Sequence, residues 1–124
     1  MVAKPLLIFG DGEQARDFVF VKDVVRGLVA AGSAPQVSGH VYNIAAGRPT
    51  TILELAQVLS EVAGASLSVE HFPVRPGDIV DSWADISAAR IDLGFSATTL
   101  LEGGLRETMR RFERKGAVCA GAVR

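Results

Sequence analysis

His71-Phe-Pro-Val-Arg-Pro-Gly-Asp-Ile-Val-Asp-Ser-Trp-Ala-Asp-Ile-Ser-Ala-Ala-Arg-Ile-Asp-Leu-Gly94 decides how this chain is read. The stretch starts as the end of a strand, breaks at Arg75-Pro76-Gly77-Asp78, and becomes a short helix that stops at Gly94. Pro76 fixes its own φ and holds Arg75 extended, while Gly77 permits a sharp reversal. The turn therefore presents a guanidinium and a carboxylate side by side. A forked cation suits a diphosphate, and a nearby carboxylate suits a ribose hydroxyl. The same two residues can equally form an Arg–Asp contact that only locks a loop.

Working outward, residues 67–72 alternate as a strand leading into the turn, and Asp85 is placed to cap the helix over 86–93. Near the N-terminus, 6–9 is a short apolar run, Gly10-Asp11-Gly12-Glu13 is a turn, and Phe18-Val19-Phe20-Val21 reads as a second strand, so a hairpin is expected. Gly10 to Ala15 formally satisfies G-x-G-x-x-A. That dinucleotide fingerprint requires a helix N-terminus immediately afterwards and an acidic residue about 20 positions on. A strand follows instead, and 27–35 carries no carboxylate, so the match is rejected as an NAD site.

Asp23 is expected to cap a helix with Val24, Val25, Leu28 and Val29 on its apolar side. A short strand is expected over 41–45. Thr51 and Glu54 form a capping box for the next helix, whose core stripe is Ile52, Leu55, Leu59 and Val62, with Gly64 as its stop. A second capping box, Thr99 with Glu102, opens the last helix. Leu101, Leu105, Met109 and Phe112 lie on one face of that helix. Its other face carries Arg106, Arg110, Arg111 and Arg114 interspersed with Glu107 and Glu113, the pattern of a solvated surface. Residues 115–124 read as a flexible tail after a domain over 1–114.

Composition bounds the function. The 124 residues are 48% hydrophobic and 22% charged, with a net charge of −1 and a mean hydropathy of +0.28. A balanced charge offers nothing to attract nucleic acid or an anionic membrane. The high hydropathy points to apolar surface that a partner would cover. One cysteine, Cys119, excludes an internal disulfide and suits a reducing compartment, and two distant histidines give little basis for a metal site. No apolar run reaches the length of a membrane span, so a cytoplasmic protein is expected.

Arg75-Pro76-Gly77-Asp78, Ser82-x-Ala84-Asp85-Ile86-Ser87 and Leu93-Gly94-Phe95 resemble the C-terminal region of NAD-dependent nucleotide-sugar epimerases and dehydratases. These are the extended short-chain dehydrogenase/reductases, typified by UDP-glucose 4-epimerase. Ile8-Phe9-Gly10-Asp11-Gly12, Arg16-Asp17-Phe18-Val19-Phe20-Val21-Lys22-Asp23 and Tyr42-Asn43-Ile44 fit the same pattern in the same order. The likeness runs over about residues 5–114 and corresponds to the family's final third. It implies that Arg16 and Arg75 contact the diphosphate of a UDP-sugar and that Asp78 takes the ribose. Asn43 reads as a residue that satisfies backbone groups. The NAD of the full-length family would be bound elsewhere, with no cofactor in this chain.

The family's proton-transfer pair, a tyrosine with a lysine four residues later, has no counterpart. Tyr42 is the single tyrosine, and Ala46 stands four residues on. His40 and His71 have no evident nucleophile or orienting partner in the sequence. The expected fold is α/β (or α+β), a small mixed sheet with an N-terminal hairpin and three to four helices. Three functions compete: a truncated substrate-binding domain, silent alone but retaining weak UDP-sugar affinity; one half of a split epimerase; and a structural or self-association protein without ligand. A homodimer or larger assembly is expected, joined through the exposed apolar surface.

Overall fold

The computed structural model describes residues 5–119, with side chains as far as Phe112. Its elements run β1 (Leu6–Phe9), β2 (Ala15–Arg16), α1 (Val21–Ser33), β3 (Thr50–Thr51), α2 (Ile52–Ala63), β4 (Val69–Phe72), β5 (Asp81–Ser82), α3 (Ser87–Leu93) and α4 (Leu101–Cys119). The α/β class and the small mixed sheets agree with the sequence expectation. Two sheets form: β1 pairs in parallel with β4, and β2 lies between antiparallel β3 and parallel β5.

The expected hairpin is replaced by these long-range pairings. Leu6 to Phe9 register against Val69 to Phe72 and not against Phe18 to Val21. Tertiary packing takes the 18–21 run instead. Phe20 lies against Gly104 of α4, where a Cβ would sit only 3.1 Å from its ring. This explains a glycine in the first turn of a helix, where it otherwise costs about 1 kcal/mol relative to Ala.

Asp23 is not the cap of α1. Phe20 occupies that position with no side-chain cap, and Asp23 sits in the first turn with 1% of its surface exposed. Its carboxylate accepts the Thr99 N–H at 2.9 Å and pairs with Arg26. Thr99 is thereby drawn to Asp23, and the expected Thr99–Glu102 box is not made; Glu102 pairs with Arg106 at 2.6 Å. At α2 the Thr51–Glu54 box is present in both directions, and Gly64 closes the helix in the left-handed conformation. Ile52, Leu55, Leu59 and Val62 are half-buried, with Ala56 the buried residue of α2. In α3 the N-cap position falls to Ile86, with no side-chain cap, and not to Asp85 as expected; Asp85 Oδ1 accepts the Ser87 N–H at 2.8 Å from one residue further out, and Gly94 ends the helix. α4 continues through Cys119, so 115–119 is helical; 120–124 lies outside the described residues, as do the side chains of Glu113 and Arg114.

The orientation of α1 departs furthest from expectation. Its buried residues are Asp23 and Gly27, while Val21, Val25, Leu28 and Val29 are exposed. Residues 41–45 cross α1 at Gly27, whose Cβ would meet Ile44 at 2.7 Å. The segment is not the expected strand: no ladder partner is present for it among the described residues, and Val41 is 91% exposed. The buried core is thin, built on Ile8, Ile86 and Phe95 with four alanines.

Asp23 should dominate the acid response. Burial would raise its pKa, but the Thr99 hydrogen bonds and the Arg26 charge outweigh burial and hold the carboxyl below its ordinary 3.8. A lowered folded pKa contributes stability above the unfolded value that is lost as pH falls below about 4. Asp23→Ala should cost about 3 kcal/mol at neutral pH by urea unfolding, because it orphans Thr99 N–H and Arg26. Asp23→Asn should remove part of the wild-type loss of stability below pH 4.

Candidate functional site

The Arg75–Asp78 turn forms as the sequence requires. Gly77 sits at φ +86° after Pro76, and the Asp78 N–H donates to the Arg75 carbonyl at 3.2 Å. Proline second and glycine third are the residues a type II turn demands. The parallel pairing of β4 with β1 brings this turn back over the end of β1. Val74 lies over Gly10, and the Arg75 guanidinium stacks 3.5 Å from the centre of the Phe9 ring.

A cavity of about 200 Å³ lies between the two segments, walled by Phe9, Gly10, Asp11 and Gln14 on one side and by Val74, Asp78, Ile79 and Val80 on the other. Asp78 thus reaches the cavity wall, and Arg75 covers a ring that forms part of it. Arg16 stands behind the Ile79–Val80 wall. Its Nη1 donates to the Ala15 carbonyl at 2.7 Å and to that of Val80 at 3.1 Å, and its Nη2 to that of Ile79 at 2.6 Å. A guanidinium has five N–H donors, so Arg16 is a staple with little donor capacity left. Arg75 makes no hydrogen bond or ion pair through its side chain among the described residues. Of the three sequence-selected residues only Asp78 lines this space; Arg75 and Arg16 each touch residues of its wall, with different freedom.

Sequence reasoning passed over the 9–14 turn after rejecting it as a dinucleotide loop. In the structure β2, and not a helix, follows this turn. The turn is nevertheless one wall of the cavity. Gln14 Nε2 donates to the Phe9 carbonyl at 2.8 Å, Asp11 Oδ1 accepts the Glu13 N–H at 3.0 Å, and His71 Nδ1 lies 2.8 Å from the Gly10 carbonyl. A glycine pair spaced around one aspartate was the available signal.

Asp17 gathers three backbone N–H groups next to β2. Its Oδ1 accepts the Ala46 N–H at 2.6 Å, and its Oδ2 accepts those of Gly47 at 2.9 Å and Ala84 at 3.4 Å. Asn43 donates to the Asp85 carbonyl at 3.0 Å, a backbone-satisfying contact. Tyr42 donates to Asp92 at 2.9 Å and lies 3.0 Å from His40 Nδ1. Desolvation, with the Asp92 carboxylate, raises the Tyr42 pKa, which leaves this phenol a poor proton acceptor at neutral pH. Among the described residues no group of three or more His, Cys, Asp or Glu side chains is placed to hold a metal, and no helix is long and apolar enough to cross a membrane.

Comparison with known proteins finds relatives of this chain. The sequence model of the NAD dependent epimerase/dehydratase family matches residues 1–45. The UDP-glucose 4-epimerase of Mycolicibacterium smegmatis is 38% identical over 108 residues, spanning 87% of this chain and 34% of that protein. The UDP-glucuronate 4-epimerase of Thermodesulfobacterium geofontis is 34% identical, spanning 86% of this chain and 32% of its own length. Among solved structures, the UDP-glucuronic acid 4-epimerase of Bacillus cereus in complex with UDP-glucuronic acid and NAD superposes with a TM-score of 0.83 at 37% identity, over 90% of this chain and 36% of that one. An epimerase from Methanothermobacter thermautotrophicus reaches 0.88 at 30% identity over 96% of this chain, a coverage that takes in the Arg75 turn.

The turn itself can be tested without ligand. A Cβ on Gly77 meets nothing within 4 Å, so Gly77→Ala should lose stability through backbone strain alone, by about 1 kcal/mol in urea unfolding.

The chain thus spans about a third of the length of the relatives it matches, and over that span it is similar in sequence and in fold to NAD-dependent epimerases and dehydratases.

Proposed function

We propose that this chain is the substrate-binding part of a nucleotide-sugar epimerase or dehydratase, silent in catalysis by itself and retaining weak affinity for a UDP-sugar. The observation that carries this reading is the shared cavity: Asp78 on its wall, Arg75 stacked on the wall residue Phe9, and Arg16 bonded to the carbonyls of Ile79 and Val80. In this reading Arg75 supplies the forked cation for the diphosphate. Asp78 accepts from the ribose hydroxyls. Arg16 adds positive potential and sets the 79–80 wall. Relatives of the same fold carry UDP-glucuronic acid and NAD, which supports a nucleotide-sugar as the ligand class. The Tyr-x-x-x-Lys pair is absent, because Ala46 follows Tyr42 at the fourth position. NAD chemistry would have to come from a separate dinucleotide domain, the split-enzyme reading.

The assembly has its own support. The exposed stripe Val21, Val25, Leu28 and Val29 lies on the helix that 41–45 crosses, and that segment brings unpaired backbone and a fully presented Val41. An exposed apolar stripe of this kind is a liability in a monomer. A second copy related by a two-fold axis would cover it. The same surface would seat the sheet of a partner domain.

Calorimetric titration with UDP tests the site. Saturable weak binding is expected, and Arg75→Ala should lower the affinity at least tenfold while leaving the thermal midpoint close to wild type, since charge-assisted hydrogen bonds are worth about 1.5–3 kcal/mol. Binding unchanged in Arg75→Ala would show that the site is wrong. Sedimentation at micromolar concentration tests the assembly: the wild type should be dimeric or larger and Leu28→Glu should be monomeric, and a monomeric wild type would end the proposal.

A further inference from the structure

We infer that Phe9 is a positioning residue: its ring orients the Arg75 guanidinium for the diphosphate without consuming any of its donors. The inference rests on the nucleotide-sugar reading above and adds to it a residue to which the sequence motifs assign no role.

Arg75 follows two residues, Pro73 and Val74, that leave β4 and fold back over the end of β1. Its guanidinium carbon comes to rest 3.5 Å from the Phe9 ring centre, the separation of a stacked contact. A guanidinium is held in proteins by carboxylates, by carbonyls or by aromatic faces. The first two use up N–H donors, as Arg26 and Arg106 show with their carboxylates and Arg16 shows with three carbonyl contacts. Stacking holds the plane from below and leaves all five donors directed outward along its edges. A flexible arginine loses much of its rotamer freedom when it is fixed on a ligand. A cation already stacked has paid part of that before the ligand arrives.

Phe9 is itself held. It pairs with Phe72 in the β1–β4 register, the two rings are 5.7 Å apart and tilted, and its carbonyl accepts from Gln14. The platform is therefore fixed by the sheet, the cation by the platform, and Asp78 by the turn that starts at Arg75. Phe9 also lines the cavity, so the same ring joins the guanidinium to the space where the ligand would lie.

The test uses the whole chain with two probes, UDP and inorganic pyrophosphate. Phe9→Leu keeps apolar bulk and removes the ring, and it should weaken both probes about fivefold, the size of a partly exposed cation–π contact. Phe9→Tyr should restore both, and Phe9→Leu should add nothing in an Arg75→Ala background. A loss confined to UDP would mean that Phe9 touches the base directly and would overturn the inference, as would wild-type affinity in Phe9→Leu. In the wild type, the Arg75 δ-methylene protons should be shifted upfield by the ring; their appearance at random-coil positions would overturn it even if the leucine variant fails to fold. Absence of UDP binding by the wild type would overturn the functional reading and this inference together.

Discussion

Two aspartates six residues apart hold the chain's irregular segments in place. Asp17 accepts N–H groups from Ala46, Gly47 and Ala84, and Asp23 accepts from Thr99 while pairing with Arg26. With strands as short as two residues, few of the loop N–H groups find a ladder. A carboxylate can accept several N–H groups at once, so each aspartate does work that a sheet does in a larger domain. Asp17 ties β2 to the turn before β3 and to the segment after β5, and Asp23 ties α1 to the approach to α4. The Ile79–Val80 wall is held to β2 by the β5 pairing, by the Ala15 N–H donated to the Val80 carbonyl at 3.0 Å and by Arg16.

This design explains why α1 is turned outward. Its inner face must reach Thr99 with Asp23 and let Ile44 approach at Gly27, so the valines two residues out of phase with Asp23 and Gly27 are left on the surface. Burying a charge is tolerable here because both the Arg26 cation and backbone donors compensate it. The exposed stripe and the unpaired 41–45 segment are then consequences of the same constraint.

Local chemistry was legible in the sequence where residues act on near neighbours. The Arg75-Pro76-Gly77-Asp78 turn, the Thr51–Glu54 box and the glycine stops at Gly64 and Gly94 all follow from backbone preferences over a few positions. Long-range pairing was not legible. The 18–21 run has strand composition, but its aromatics are claimed by α4, and β1 waits for β4 more than fifty residues later. Thr99 illustrates the same competition, since a capping motif gives way to a buried carboxylate that needs its N–H. For the site, the sequence named the cation and the acid on the turn. It could not name Phe9, because the contact that matters is made by a segment folding back across a parallel pair.

We propose that the space between residues 9–14 and 74–80 receives the nucleotide. Amide chemical-shift mapping of the labelled protein during titration with UDP is the decisive experiment. Shifts should concentrate at Gly10, Gly12, Gln14, Asp78 and Val80, with α4 and the outer face of α1 unmoved. Shifts centred instead on the cavity between Phe20 and Phe112, or none at millimolar UDP, would contradict it.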